Sequence, residues 1–218
     1  MNPTLPEGLY VITADALCQH LDTLLHGVEA ALRGGAVLVQ YRDKHASPPQ
    51  RMTRARALRR LCDAHHCPLI INDDVALACE IGAAGVHIGQ RDGAVATVRA
   101  QLGCSGWLGV SCGDDLGRAR AAVAAGANYV AFGRLFPSRS KPDAPLARLT
   151  TLSTAADSLS VPVCAIGGIT PPQVAIVRHH GARLVAVIDG VFGAPDIEAA
   201  AQAYTDALAT YNRDLPSA

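Results

Sequence analysis

Short apolar, β-branched runs alternate with Ala-, Leu- and Arg-rich stretches along the whole chain, and no linker interrupts them. Eight runs read as strands: Leu9–Thr13, Val37–Tyr41, Leu69–Asp73, Gly85–Gly89, Leu108–Cys112, Tyr129–Gly133, Val161–Gly167 and Leu184–Ile188. Most are continuously apolar, the mark of strands covered on both faces in a parallel sheet. Each intervening stretch can hold the crossover helix that a parallel pair requires. One arrangement recurs in GGAVLVQ (34–40), GAAGVHIG (82–89), GANYVAFG (126–133) and GARLVAVI (181–188): a helix end, Gly with Ala, then a strand. Gly at that point suits the left-handed turn that ends a helix. Eight such units predict an α/β fold, the (β/α)8 or TIM barrel, with residues 1–218 as a single catalytic domain. An open doubly wound sheet is the alternative. It lacks support at its phosphate loop, because no G-x-G-x-x-G follows Leu9–Thr13.

Composition narrows the partners. Lys plus Arg and Asp plus Glu are equal at 19 each, so no global field draws nucleic acid or an anionic membrane, and any anion site must be local. No apolar stretch reaches the ~18 residues of a membrane span. MNPTLPEGLY has neither a basic n-region nor an apolar h-region, so no signal peptide is expected. Seven scattered cysteines without a Cys-x-x-Cys read as free thiols in a reducing cytoplasm. Nothing here excludes a homo-oligomer.

In such a barrel the chemistry sits just past the C-terminal ends of the strands. The second strand runs into Gln40-Tyr41-Arg42-Asp43-Lys44, which reads either as a solvated charge cluster or as an anion grip with a guanidinium fork and an ammonium. The third ends in Asn72-Asp73-Asp74, with Asp74 placed to cap the next helix. The fourth ends in HIGQRD (87–92). Neighbouring strands bring Asp73 and Asp92 across the mouth from each other, and two carboxylates completed by water and substrate oxygens suit Mg2+. Ser111 closes the fifth strand, where its hydroxyl can meet a diphosphate or cap the helix near Asp114–Asp115. The loop after the sixth strand carries Ser138, Arg139, Ser140 and Lys141, a candidate anion grip or an ordinary loop. Gly167-Gly168 and Ile188-Asp189 follow the last two strands, where these barrels often bind phosphate through backbone N–H groups. His65-His66-Cys67, with Cys62, precedes the third strand on the opposite face and reads as packing or helix-end capping.

Taken in order, QYRDK (40–44), IND (71–73), GVHIGQRD (85–92), Ser111, FGRLFPSRSK (132–141), AIGGI (165–169) and VAVI (185–188) resemble the thiamine-phosphate synthase family over nearly the whole chain. The resemblance implies a transferase of thiamine biosynthesis. It would join hydroxymethylpyrimidine diphosphate to hydroxyethylthiazole phosphate, giving thiamine phosphate and diphosphate. It implies that Gln40, Tyr41, Arg42, Asp43 and Lys44 hold the pyrimidine diphosphate with Asn72 and Ser111. Asp73 and Asp92 would bind Mg2+. Ser138, Arg139, Ser140 and Lys141 would meet both substrates, and Gly168, Ile188 and Asp189 the thiazole phosphate. Arg42, Lys44, Ser111 and Lys141 are the residues expected to act on the reaction itself.

Four positions depart from the family pattern. Ser138 and Ser140 stand where threonines are common, Arg134 where a proline is frequent, and Asp189 puts a carboxylate beside a phosphate site. Two other readings stay open at this point: a paralogue that isomerises or only binds a thiazole phosphate, and an unrelated sugar-phosphate isomerase on the same barrel. The first would not need Arg42, Lys44, Asp73 and Asp92. The second would show a paired acid and base at the strand ends. A non-catalytic interaction module is the poorest fit to so many polar strand ends.

Overall fold

The structure, a computed structural model, describes residues 4–89, 92–137 and 145–213. Eight parallel strands close in sequence order: β1 (Gly8–Ile12), β2 (Leu38–Tyr41), β3 (Leu69–Asn72), β4 (Gly85–Ile88), β5 (Trp107–Gly113), β6 (Tyr129–Phe132), β7 (Val163–Ile166) and β8 (Leu184–Val187). β8 pairs with β1 to complete the barrel. Every expected strand is present, and the open-sheet alternative is excluded.

Period-two alternation splits each strand between two layers. One residue in two points inward, and Tyr10, Ile12, Leu38, Ile70, Tyr129, Cys164, Leu184 and Ala186 make an interior cluster. Their neighbours, such as Val11, Val39, Ile71 and Val130, face the ring of helices and join the larger core. The barrel is therefore filled rather than open.

Helices α1 (Leu21–Arg33), α2 (Pro48–Ala64), α3 (Val75–Ile81), α4 (Val95–Leu102), α5 (Leu116–Ala124), α6 (Leu149–Ser158), α7 (Val174–His179), α8 (Asp189–Phe192) and α9 (Ile197–Arg213) cover the outside. Local chemistry starts several of them. Ser47 and Gln50 form a reciprocal capping box ahead of α2, whose first two residues are prolines. Asp74 caps α3 by accepting from the Leu77 amide at 2.9 Å, and Asp115 caps α5 from the Arg118 amide at 2.9 Å. Gly82 ends α3 in the left-handed conformation at φ 64°. His65 closes α2, with Cys62 and Cys67 buried beside it, so that cluster does cap and pack. All seven cysteines are free thiols. No helix among the described residues is long and apolar enough to cross a membrane.

Candidate active site

The loop after β2 is organised around one carboxylate. Asp43 accepts from the amides of His45 (3.1 Å) and Ala46 (3.0 Å), from the Tyr41 hydroxyl (3.1 Å) and from Arg54 of α2 at 2.7 Å. Its side chain is 2% exposed and that of Arg54 13%. Burial by itself pushes the carboxyl up. The Ala46 amide, the Arg54 guanidinium, the His45 amide and the Tyr41 hydroxyl outweigh it and hold Asp43 below the usual carboxylate range. Asp43 and Tyr41 thus shape the loop that presents Arg42 and Lys44. Arg42 is fixed at its backbone by Thr13, which both accepts from its N–H (2.8 Å) and donates to its C=O (2.9 Å). Its guanidinium lies 3.4 Å from Asp15. Lys44 is exposed at the rim.

β3 turns sharply at Asp73, which has φ 62°, a region that Asp tolerates better than most residues. The turn sends the Asp73 N–H to the His87 carbonyl at 2.8 Å, beside β4. Asn72 donates to the Asp73 carboxylate at 2.5 Å, and Asp92 accepts from the Gly89 amide at 2.8 Å. The Asp73 carboxyl is pushed above its ordinary value, first by burial and then by the charge and hydrogen bond of Asp92. The expected meeting of the two carboxylates is therefore real. A pair at odds over one space is a hard-oxygen donor set that a cation would relieve. Among the described residues no cluster of three or more metal-ligating side chains occurs, so water and substrate would have to supply the other ligands. A cavity of about 390 Å3 opens here, lined by Tyr41, Asp43, Lys44, Arg51, Ile71, Asn72, Asp73 and Asp74. A similar hollow beside α5 and α6 is less suited to an anion, because its Arg148 and Asp114 are already paired at 2.9 Å.

Ser111 does not cap α5. Asp115 takes that role, and Ser111 instead lies 2.8 Å from His87 Nε2, inside the barrel. The β5–β6 register slips between Ser111 and Gly113, just where the serine leaves the regular ladder. Beyond β6, Leu135 and Phe136 donate to the carbonyls of Ile166 (3.1 Å) and Gly167 (2.9 Å). The chain thus runs along the end of β7. Gly168, at φ 67°, is packed so closely that a Cβ there would lie 2.2 Å from the Pro137 carbonyl oxygen. Ile188 leads into α8, and Asp189 is the exposed first residue of that helix. Ser138, Arg139, Ser140 and Lys141 lie outside the described residues.

Reading strand ends alone misses His87, Tyr10, Tyr129, Arg51 and Thr13. For the first three a signal exists: polar side chains at the inward parity of β4, β1 and β6, where an apolar filling is the norm.

A family model described as thiamine monophosphate synthase matches residues 9–191. The chain belongs to that family. It is 50% identical over 196 residues to a thiamine-phosphate synthase of Thioalkalivibrio sulfidiphilus, covering 90% of this chain and 92% of that one. The corresponding protein of Nitrosococcus oceani is 48% identical over 210 residues, with 96% of each chain covered. A solved thiamine phosphate pyrophosphorylase from Pyrococcus furiosus superposes with a TM-score of 0.84 at 29% identity, over 94% of this chain and 96% of the other. As a thiamine monophosphate synthase the chain is an enzyme of thiamine biosynthesis, a transferase. The sugar-phosphate isomerase and the paralogue readings fall away.

Proposed function

We propose that the enzyme condenses hydroxymethylpyrimidine diphosphate with hydroxyethylthiazole phosphate, releasing thiamine phosphate and diphosphate. The observation that carries this reading is the Asp73–Asp92 pair, with Asp73 lining the same cavity as Lys44. A metal-assisted diphosphate departure calls for that grouping. The C–O bond to diphosphate breaks with its electron pair on the leaving group, and the ring amine spreads the resulting positive charge of the methylene. The thiazole nitrogen then supplies the pair for the new C–N bond. Such a reaction needs few bases; it needs cations placed where charge develops and two anionic substrates held together.

Asp73 and Asp92 are the residues that would hold Mg2+, whose chemistry is to offset charge on the leaving diphosphate. Arg42 and Lys44 direct their charge at the same oxygens. Gln40, Tyr41, Asp43, Asn72 and Ser111 shape the pyrimidine side, and Lys141 with Ser138, Arg139 and Ser140 stands between the substrates. Gly168 and the Ile188–Asp189 backbone receive the thiazole phosphate. The chain acts as one catalytic domain in the cytoplasm. The test is to mix both heterocycles with Mg2+ and the purified protein and to follow thiamine phosphate by mass. No product with both substrates present overturns the proposal.

A further inference from the structure

Five polar side chains form an unbroken line through the barrel interior. Gln40 Nε2 lies 2.5 Å from the Tyr10 hydroxyl. Tyr10 and Tyr129 meet hydroxyl to hydroxyl at 3.0 Å, Tyr129 lies 3.0 Å from His87 Nδ1, and His87 Nε2 lies 2.8 Å from Ser111 Oγ. The line passes through β2, β1, β6, β4 and β5 and joins residues as far apart in sequence as Tyr10 and Tyr129. Gln40, Tyr10 and Tyr129 are almost wholly buried, and His87 is 8% exposed. Burial keeps both phenols neutral by pushing them well above the ordinary tyrosine range. Each therefore keeps one proton and donates once.

That count gives the line a direction. Tyr10 accepts from the Gln40 amide, so its own proton goes to Tyr129. Tyr129 then donates to His87 Nδ1. His87 carries its proton on Nε2 and donates to Ser111 Oγ, which leaves the serine's proton for the mouth. At the other end Gln40 turns its NH2 group toward Tyr10, using one N–H there, and so turns its carbonyl oxygen away from the line. Reversing any one bond reverses all of them: Gln40 would turn its NH2 outward and Ser111 would become an acceptor.

We infer that Tyr10, Tyr129 and His87 are a positioning relay that fixes what Gln40 and Ser111 offer a bound ring, an acceptor at Gln40 and a donor at Ser111. The inference rests on the pyrimidine reading above. An aminopyrimidine has the complementary pattern, an amine that donates and ring nitrogens that accept. As positive charge spreads onto the amine during diphosphate loss, its N–H groups become stronger donors and an acceptor gains most. A reversed line would face that charge with the Gln40 NH2 group.

Two measurements test the relay. The first needs no substrate: 15N NMR of the histidine-labelled enzyme, with the His87 signals identified by their loss in His87→Asn. The Nε2–H tautomer is expected, and Tyr129→Phe should remove the preference. The Nδ1–H tautomer in the unmodified enzyme overturns the inference.

The second is steady-state kinetics. Tyr129→Phe keeps the ring and should raise KM for the pyrimidine diphosphate about fivefold to tenfold, the worth of one hydrogen bond. KM for the thiazole phosphate should stay within about twofold of its original value, well inside that hydrogen-bond range. In a Ser111→Ala background the same change should cost less than it does in the unmodified enzyme, because the Ser111 donor is already gone and only the Gln40 end is left to disturb. A purely structural hydroxyl would instead give additive losses affecting both KM values alike, and that outcome overturns the relay. If Tyr129→Phe does not fold, Tyr10→Phe carries the same comparison one bond farther from Ser111. If the unmodified enzyme makes no thiamine phosphate, the substrate reading has failed, while the tautomer still decides the relay.

Discussion

Replacing Arg54 by Met should loosen the loop that presents Arg42 and Lys44, and its effect on stability can be worked from the contacts. The variant removes the 2.7 Å bond to Asp43, whose side chain is only 2% exposed, and keeps a stem of similar length. Removing one partner of a buried pair costs about 3–5 kcal/mol. Three donors to Asp43 remain, so the low end applies, about 3 kcal/mol. In a chain of this size each kcal/mol lowers Tm by roughly 2–4 °C, so a fall of about 6–12 °C is expected near neutral pH.

The pH dependence has a definite sign. The folded Asp43 carboxyl lies below its unfolded value, so its contribution is present above the ordinary carboxylate range of about 3.9. It is lost as pH falls through the depressed folded value. The Tm gap between the two proteins should therefore be full at neutral pH and close on acidification. Thermal melts followed by circular dichroism across that range check both points. Adding Asp43→Asn to the variant should recover part of the loss, since the uncompensated charge is then gone. A neutral-pH fall of less than about 2 °C, under 1 kcal/mol on the same conversion, or a gap that does not narrow in acid, would refute the account of Asp43 as the loop's organiser.

Asp92→Asn should abolish most turnover yet raise the melting temperature of the metal-free enzyme at neutral pH. Asp73, raised by burial and by Asp92, loses stability as it ionises, and the variant removes part of that cost; a lower Tm in chelator counts against it. Lys141→Ala should lower the single-turnover rate with little change in KM for either substrate, and a full-speed variant would remove Lys141 from the reaction. Asp189→Ser should leave KM for thiazole phosphate unchanged or lower it. A rise of about tenfold, some 1.4 kcal/mol, would show that the carboxylate takes part in holding the phosphate.

All eight strands were legible because a barrel strand covered on both faces is a short apolar run with a helix-ending Gly before it. The site was legible where position alone carries meaning: Asp73 and Asp92 stand at adjacent strand ends, and Asp74 precedes an apolar helical run. It was not legible where meaning comes from closure. Tyr10 and Tyr129 read as core filling: inward parity marks them as polar side chains inside the barrel, but only the closed fold shows their hydroxyls bonding across it. Ser111 and Asp115 compete for one helix start in sequence, and only the slip in β5 separates them. Asp43 reads as one charge among several until Arg54, from the second turn of α2, reaches it.

Gly168 touches the segment that leaves β6 with no free space between them. The stretch proposed to receive the thiazole phosphate and the one that leads into the loop proposed to meet both substrates therefore share a wall. A ligand that shifts the backbone at Gly168 must also shift Phe136 and Pro137, and the converse holds. Any synergy between the two substrates that arises there is bound to be mutual: the factor by which the thiazole phosphate tightens the pyrimidine diphosphate equals the factor in the other direction. A bulkier residue at 168 would then act on both affinities, although it stands beside only one of the proposed grips.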